Sequence, residues 1–185
     1  MSTQLLEKKK WTYEDYAQLD GEQRYQVIEG ELVMAPSPVT RHQFVSGELE
    51  FLIREFVKKH QLGKVFDPPL DVILSPDNVY QPDILFISNE NMNILAEKNV
   101  QGAPDLIVEI LSPGTAVYDL GIKKEVYERS GVRELWIVDP ETESVLLYQN
   151  GNKGFEITDQ AKKEGTIKSA LLKGFKVDIK ELFAA

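Results

Sequence analysis

Cysteine is absent from this chain of 185 residues, and histidine occurs only 2 times. The first absence excludes disulfides, thiolate zinc sites and cysteine nucleophiles together, leaving Asp, Glu, His and backbone oxygen as available metal ligands. Donors of that kind favour a hard cation, magnesium (Mg) or manganese (Mn). Long apolar runs are missing as well. No segment approaches the roughly 18 apolar residues of a membrane span, and the opening "MSTQLLEKKKW" lacks the apolar core of a secretory signal. The expectation is a cytoplasmic protein with no membrane partner. Basic charge is in short supply too: 21 Lys and Arg against 30 Asp and Glu give a net charge of −9. The whole-molecule field therefore does not draw in nucleic acid, and such a partner requires a local basic patch. What remains is ordinary, 42% hydrophobic and 28% charged, which predicts one globular domain over residues 1–185.

Along the chain, Thr12 followed by Asp15 nearly matches a capping box and predicts a short helix closing near Gly21. "YQVIEGELVMAP" reads as a hairpin around Gly30 halted by Pro36. After the turn from Pro36 to Thr40, the segment from Arg41 to His60 sets Val45, Leu49, Leu52, Ile53 and Phe56 at helical spacing. "GKVFD", "LDVILS" and "YQPDILFIS" then read as a three-stranded meander divided by Pro68-Pro69 and "SPDN". Asp105 to Leu111, bounded by Pro104 and Pro113, is nearly continuous in apolar character, as a central strand buried on both faces would be. A helical pattern from Thr115 to Ser130 ends at Gly131, and "ELWIVD" returns as another buried strand. "SVLLYQ" and "FEITDQ" form a hairpin about "NGNKG", and "GFKVDIKELFAA" ends in a short helix. The order predicts an α/β (α+β) fold: a mixed β-sheet flanked by helices, a parallel pair joined by a crossover helix, and a β-rich C-terminal tail.

Glu109 interrupts an apolar strand. A buried carboxylate loses hydration worth several kcal/mol unless it is paired, protonated or bound to a cation. Strand alternation puts Asp83, Leu85 and Ile87 on one face, and Asp105, Ile107, Glu109 and Leu111 on one face of the later strand. If the two strands pair, Asp83 and Glu109 lie within about 5 Å, and their repulsion calls for a shared proton or a divalent cation. The plainer alternative has Asp83 capping a turn after Pro82 and Glu109 paired with a buried Lys or Arg. Asp105 reads as a turn residue. Asp119, Lys123 and Tyr127 line one helical stripe, either placing a lysine over the strand end or forming an exposed Asp119–Lys123 bridge beside a Glu125–Arg129 one. His42, near the start of the long helix, reads alone as a partly buried polar residue. Glu29 and Glu31 read as solvated turn and edge residues, and Trp136 and Tyr148 as core. Arg41, Arg54, Lys58, Lys59 and Lys64 cluster around the long helix without forming one stripe.

"YQVIEGELVMAPSPVTRHQ", "QPDILFI", "GAPDLIVEILSPGT", "DLGIKKEVYERSGVRELWIVDP" and "LLKGFKVDIKELF" together resemble the Uma-type putative restriction endonucleases of the PD-(D/E)XK nuclease superfamily, from about Trp11 onward. The resemblance implies a restriction-endonuclease-like core and metal-dependent endonuclease activity on nucleic acid, with DNA the expected substrate. It implies magnesium (or manganese) held by Asp83, Glu109 and the Ile110 carbonyl. Leu111 stands where the superfamily's lysine is found, and the resemblance implies that this role has moved to Lys123, with Tyr127 beside it. It also raises His42 to an additional metal ligand and Glu31 to a site residue. Glu29 stands where the family shows Asp. A homodimer follows by analogy, since two strand cuts suit two-fold symmetry. The rival expectation is a catalytically inactive nuclease-fold module that binds nucleic acid or protein, in keeping with the acidic charge and the missing in-strand lysine.

Overall fold

Thr12 and Asp15 complete their capping box, the Asp15 carboxylate accepting from the Thr12 amide at 3.0 Å. The helix they open, α1 (Tyr13–Tyr16), closes well before Gly21. These features come from a computed structural model that describes residues 10–21, 23–35, 37–114 and 116–184. The expected strand stop at Pro36 and helix start at Thr115 lie outside the described residues. After α1 come β1 (Tyr25–Ile28), β2 (Glu31–Met34), α2 (Thr40–His60), β3 (Gly63–Phe66), β4 (Asp71–Ser75), β5 (Asn78–Tyr80) and β6 (Ile84–Ser88). A 3-10 turn (Asn89–Ile94), β7 (Asn99–Gln101), β8 (Leu106–Ile110), α3 (Ala116–Leu120) and α4 (Ile122–Ser130) follow. The remainder is β9 (Glu134–Asp139), β10 (Ser144–Gly151), β11 (Gly154–Lys162), β12 (Thr166–Lys168), β13 (Lys176–Asp178) and α5 (Ile179–Leu182).

One sheet has six strands in the order β11-β10-β9-β8-β6-β3, and a second has five in the order β2-β1-β5-β4-β7. The predicted parallel pair is β8 with β9, in register from Leu106 opposite Glu134 to Ile110 opposite Val138. The hairpins about Gly30 and about "NGNKG" are present as β1–β2 and β10–β11. The expected meander is not. Its first run, β3, pairs with β6 in the six-stranded sheet, whereas its second, β4, pairs with β5 and, in parallel, with β7 in the other sheet. The chain changes sheets twice, across Pro68-Pro69 between Phe66 and Asp71 and across "YQPD" between Tyr80 and Ile84. Pro82 has no amide to continue a ladder, so the chain leaves one sheet at Tyr80 and enters the other at Ile84.

Alternation decides what each face of the six-stranded sheet meets. Ile84, Phe86, Leu106, Val108 and Trp136 share a core with Val45, Leu49, Ile53 and Val57 of α2 and with the C-terminal tail. Leu85, Ile87, Ile107, Leu135 and Ile137 form the other core with Val126 and Tyr127 of α4 and with Val72 and Tyr80 of the five-stranded sheet. Trp136 is fully buried and Tyr148 packs on the second core, as expected of both. Gly131 ends α4 at φ 93, the left-handed conformation a helix stop requires. Among the described residues no helix is long and apolar enough to cross a membrane.

Glu134 holds the tail to the sheet. Its carboxylate, 0% exposed, accepts from the Trp136 indole at 2.8 Å, the Ser169 hydroxyl at 2.7 Å, and the Ala170 and Leu171 amides at 2.9 Å each. Charge-assisted bonds of this number compensate for its burial. Glu134→Ala leaves those buried donors without an acceptor, and urea unfolding should show a loss of at least about 3 kcal/mol.

Candidate active site

The corner at which the chain changes sheets is also where the carboxylates meet. The last β6–β8 pair is Ile84 opposite Val108, so one further step sets Asp83 opposite Glu109, on the face that strand alternation assigns to both. Asp83 Oδ2 accepts the Ile110 amide at 2.8 Å, a side chain standing in for the strand that Pro82 interrupts. The Leu111 amide bonds Val138 of β9, so the amide and carbonyl of Ile110 turn to the opposite edge, toward Asp83. From the far side of the sheet, α2 brings His42, whose Nε2 lies 3.3 Å from Asp83 Oδ1.

Helix α4 supplies the cation. Lys123 Nζ lies 2.6 Å from Glu109 Oε1 and 2.8 Å from Asp119 Oδ1, and the three side chains are each 4% exposed or less. The Tyr127 hydroxyl donates to the same Glu109 Oε1 at 2.5 Å. Tyr80 meets Tyr127 edge-on with centroids 5.5 Å apart, and its ring faces Lys123 Nζ at 5.6 Å, closing this end with aromatic surface. His42, Asp83, Glu109, Ile110, Asp119 and Lys123 all line one cavity of about 430 Å³, which reaches Gln26 of β1 and Gln81 on the side of the five-stranded sheet.

Two buried carboxylates against one ammonium leave the Lys123 cluster short of positive charge. Burial pushes the Glu109 carboxyl up to about 8; Lys123 opposes the shift, while Asp119 and Asp83 add to it. Burial disfavours the charged Lys123, yet Glu109 and Asp119 more than offset it and hold the ammonium above its usual range. Burial raises the Tyr127 hydroxyl, with Glu109 adding. Burial likewise works against a charged His42, but Asp83 and the Ile110 backbone outweigh it and raise the ring.

The donor chemistry fits a hard divalent cation. Both contacts of Glu109 fall on Oε1, and Oε2 takes none among the described residues. Among the described residues no three Asp, Glu or His side chains converge into a metal cluster. Magnesium does not require one, since it commonly takes one or two carboxylates and keeps several waters, and here Asp83, Glu109 and Ile110 line the cavity together. His42 Nε2 is turned to Asp83, and its buried Nδ1 has no hydrogen-bond partner among the described residues.

Asp83, Glu109, Ile110, Lys123, Tyr127 and His42 thus come together, and Glu31 does not. It is exposed at the turn end of the β1–β2 hairpin and does not line the cavity, although its register partner Ile28 shares a face with Gln26, which does. The exposed-bridge alternative is overturned for Asp119 and Lys123, which do pair, but in the interior. Glu125 and Arg129 form no bridge; Arg129 reaches Glu29 instead. Asp105 is a buried anchor rather than a turn residue, accepting from the Ser88 amide at 2.8 Å and pairing with Arg133 at 3.1 Å. Within the basic cluster, Arg41 is taken up by Glu143 and Arg54 by Glu50 and Asp67. Sequence reasoning missed Asp119 as a site residue; the i, i+4, i+8 stripe that contains it was the available signal. Gln26 and Gln81 carried none.

Among curated proteins, no match is found. Among solved structures, the chain resembles a protein of Anabaena variabilis ATCC 29413 described as a putative nuclease belonging to DUF820. The TM-score is 0.78 at 22% identity over 94% of this chain and 97% of that one, a likeness of fold. The Uma2 family model, described as "putative restriction endonuclease", matches residues 13–180, a span that takes in Asp83, Glu109, Asp119, Lys123 and the two large sheets; the chain belongs to that family.

Proposed function

We propose that this protein is a metal-dependent endonuclease that hydrolyses phosphodiester bonds of nucleic acid, DNA first, with the chain acting as one nuclease-like domain. The observation that carries this reading is the meeting of Asp83, Glu109, the Ile110 backbone and Lys123 in one cavity. Asp83, Glu109 and the Ile110 carbonyl would hold magnesium or manganese, which polarises a phosphate and lowers the pKa of an attacking water. Lys123 sets a fixed positive charge beside that position, where negative charge grows on the phosphate oxygens during the reaction. Tyr127 fixes the Glu109 carboxylate through its 2.5 Å bond. His42 steadies Asp83 rather than ligating, since its Nε2 is turned to that carboxylate.

The first test is cleavage of plasmid and single-stranded substrates with magnesium or manganese, alongside calorimetric metal binding from pH 6 to 9. A proton and a cation compete for Glu109, whose carboxyl is pushed up by burial to about 8. Metal affinity should therefore fall about tenfold for each pH unit below that value and level off above it. Affinity independent of pH over this range removes Glu109 from the ligand set. No cleavage together with no metal binding would favour the inactive interaction module.

A further inference from the structure

Asp119 is the one buried carboxylate of the cavity to which the proposed reaction gives no task. It lies at the end of α3, and Lys123 lies in the first turn of α4, with the break between the helices at Gly121. A Cβ at Gly121 would stand 2.9 Å from the Val117 carbonyl, so only glycine lets the two helices abut closely enough to keep Asp119 and Lys123 on one stripe. The ammonium held there has two carboxylate partners, Glu109 at 2.6 Å and Asp119 at 2.8 Å. They differ in one respect. Glu109 sits across from Asp83 and belongs to the cation's donor set, whereas Asp119 is on the helix side of the lysine.

Asp83 and Glu109 would hold a dication, and Glu109 would then offer less negative charge to the Lys123 ammonium. A side chain 4% exposed has no water to retreat to, so a second carboxylate must hold it. We propose that Asp119 is a positioning residue that retains the Lys123 ammonium in the cavity when a cation takes Glu109. The assignment rests on the metal-dependent reading of this cavity. Lys123 bridges both carboxylates, and with a cation on Glu109, Asp119 would hold the ammonium in the cavity. Asp119 also balances charge, since without it Lys123 and the cation would share Glu109 and Asp83 only.

Nitrogen-detected NMR of the lysine ammonium groups tests this directly, with the Lys123 resonance assigned by its disappearance in Lys123→Arg. A held, buried ammonium exchanges its protons slowly and is visible. In the wild type the signal should persist on adding magnesium. In Asp119→Asn it should be present without magnesium, held by Glu109, and vanish with it, while Asp119→Glu, which keeps the charge, should retain it. Asp119→Asn leaves a one-to-one Lys123–Glu109 pair, so the fold is expected to survive, and kcat should drop on the order of 100-fold with KM little changed. Persistence of the signal in magnesium-loaded Asp119→Asn, or its loss in the magnesium-loaded wild type or Asp119→Glu, overturns the assignment. A wild-type Glu109 carboxyl resonance unmoved by magnesium overturns the metal reading itself, and this assignment with it.

Discussion

Asp83→Asn should lower cleavage by about 10³-fold or more while leaving a folded protein. The amide side chain is nearly isosteric, and its oxygen can still accept the Ile110 amide that Asp83 Oδ2 accepts at 2.8 Å, so the corner between the sheets keeps its closing bond. What disappears is one of the two negative charges available to a divalent cation, and with it the anion facing His42. Single-turnover cleavage and thermal unfolding, measured on the same preparation, separate the two effects. Undiminished cleavage in Asp83→Asn would sink the assignment of the whole donor set, because the remaining residues offer only Glu109 and a carbonyl. Lost cleavage with lost structure would instead mark Asp83 as a structural cap, the plainer alternative open to it from sequence.

The second large effect is a contrast in stability between two members of the same cluster. Lys123→Ala removes the ammonium that faces Glu109 and Asp119 and leaves both buried, which should cost about 3–5 kcal/mol near pH 8. Glu109→Gln should do the reverse. Its carboxyl is raised from 4.5 to about 8, so between those values the folded protein binds more protons than the unfolded chain. Stability from this group is thus complete below the unfolded value and is lost as pH rises through the folded one. At pH 7 the loss is at most about 3 kcal/mol, and a glutamine does not suffer it. Thermal unfolding should place Glu109→Gln above the wild type at pH 8, with the advantage gone near pH 4, even though cleavage is abolished. A Glu109→Gln variant no more stable than the wild type at pH 8 would mean that Lys123 fully compensates the buried charge. The reading of the site as short of a cation would then fail. For Lys123, the same physics warns that inactivity in Lys123→Ala says little unless folding is checked, and Lys123→Arg is the safer probe of its charge.

Strand periodicity was enough to put Asp83 and Glu109 on one face, because alternation is a property of the backbone that no tertiary contact alters. It was enough as well to find the β8–β9 crossover, the two hairpins and the buried stripe of α2, each signalled by an apolar period or by turn residues. Pairing partners were less legible. β3, β4 and β6 carry similar β-rich composition, and nothing in it tells a strand which neighbour to choose; the chain changes sheets twice, across Pro68-Pro69 between β3 and β4 and across Pro82 between β5 and β6. The helical pattern from Thr115 to Ser130 reads as one piece, whereas the structure has two helices, α3 and α4, divided at Gly121.

The sequence alone, then, determined the face on which each strand carboxylate lies, the stripe that joins Asp119, Lys123 and Tyr127, and the resemblance that made Lys123 a candidate at all. These are local periodicities or motifs, readable without knowing what packs where. Only the tertiary structure decided that the Asp119–Lys123 pair is interior, that His42 meets Asp83 at 3.3 Å, and that Glu31 is left outside the cavity lining. Burial is the reason. The same i, i+4 ion pair is worth little in water and a great deal in a cavity closed by Tyr80 and Tyr127, and which of these it meets depends on how two sheets and a helix pack.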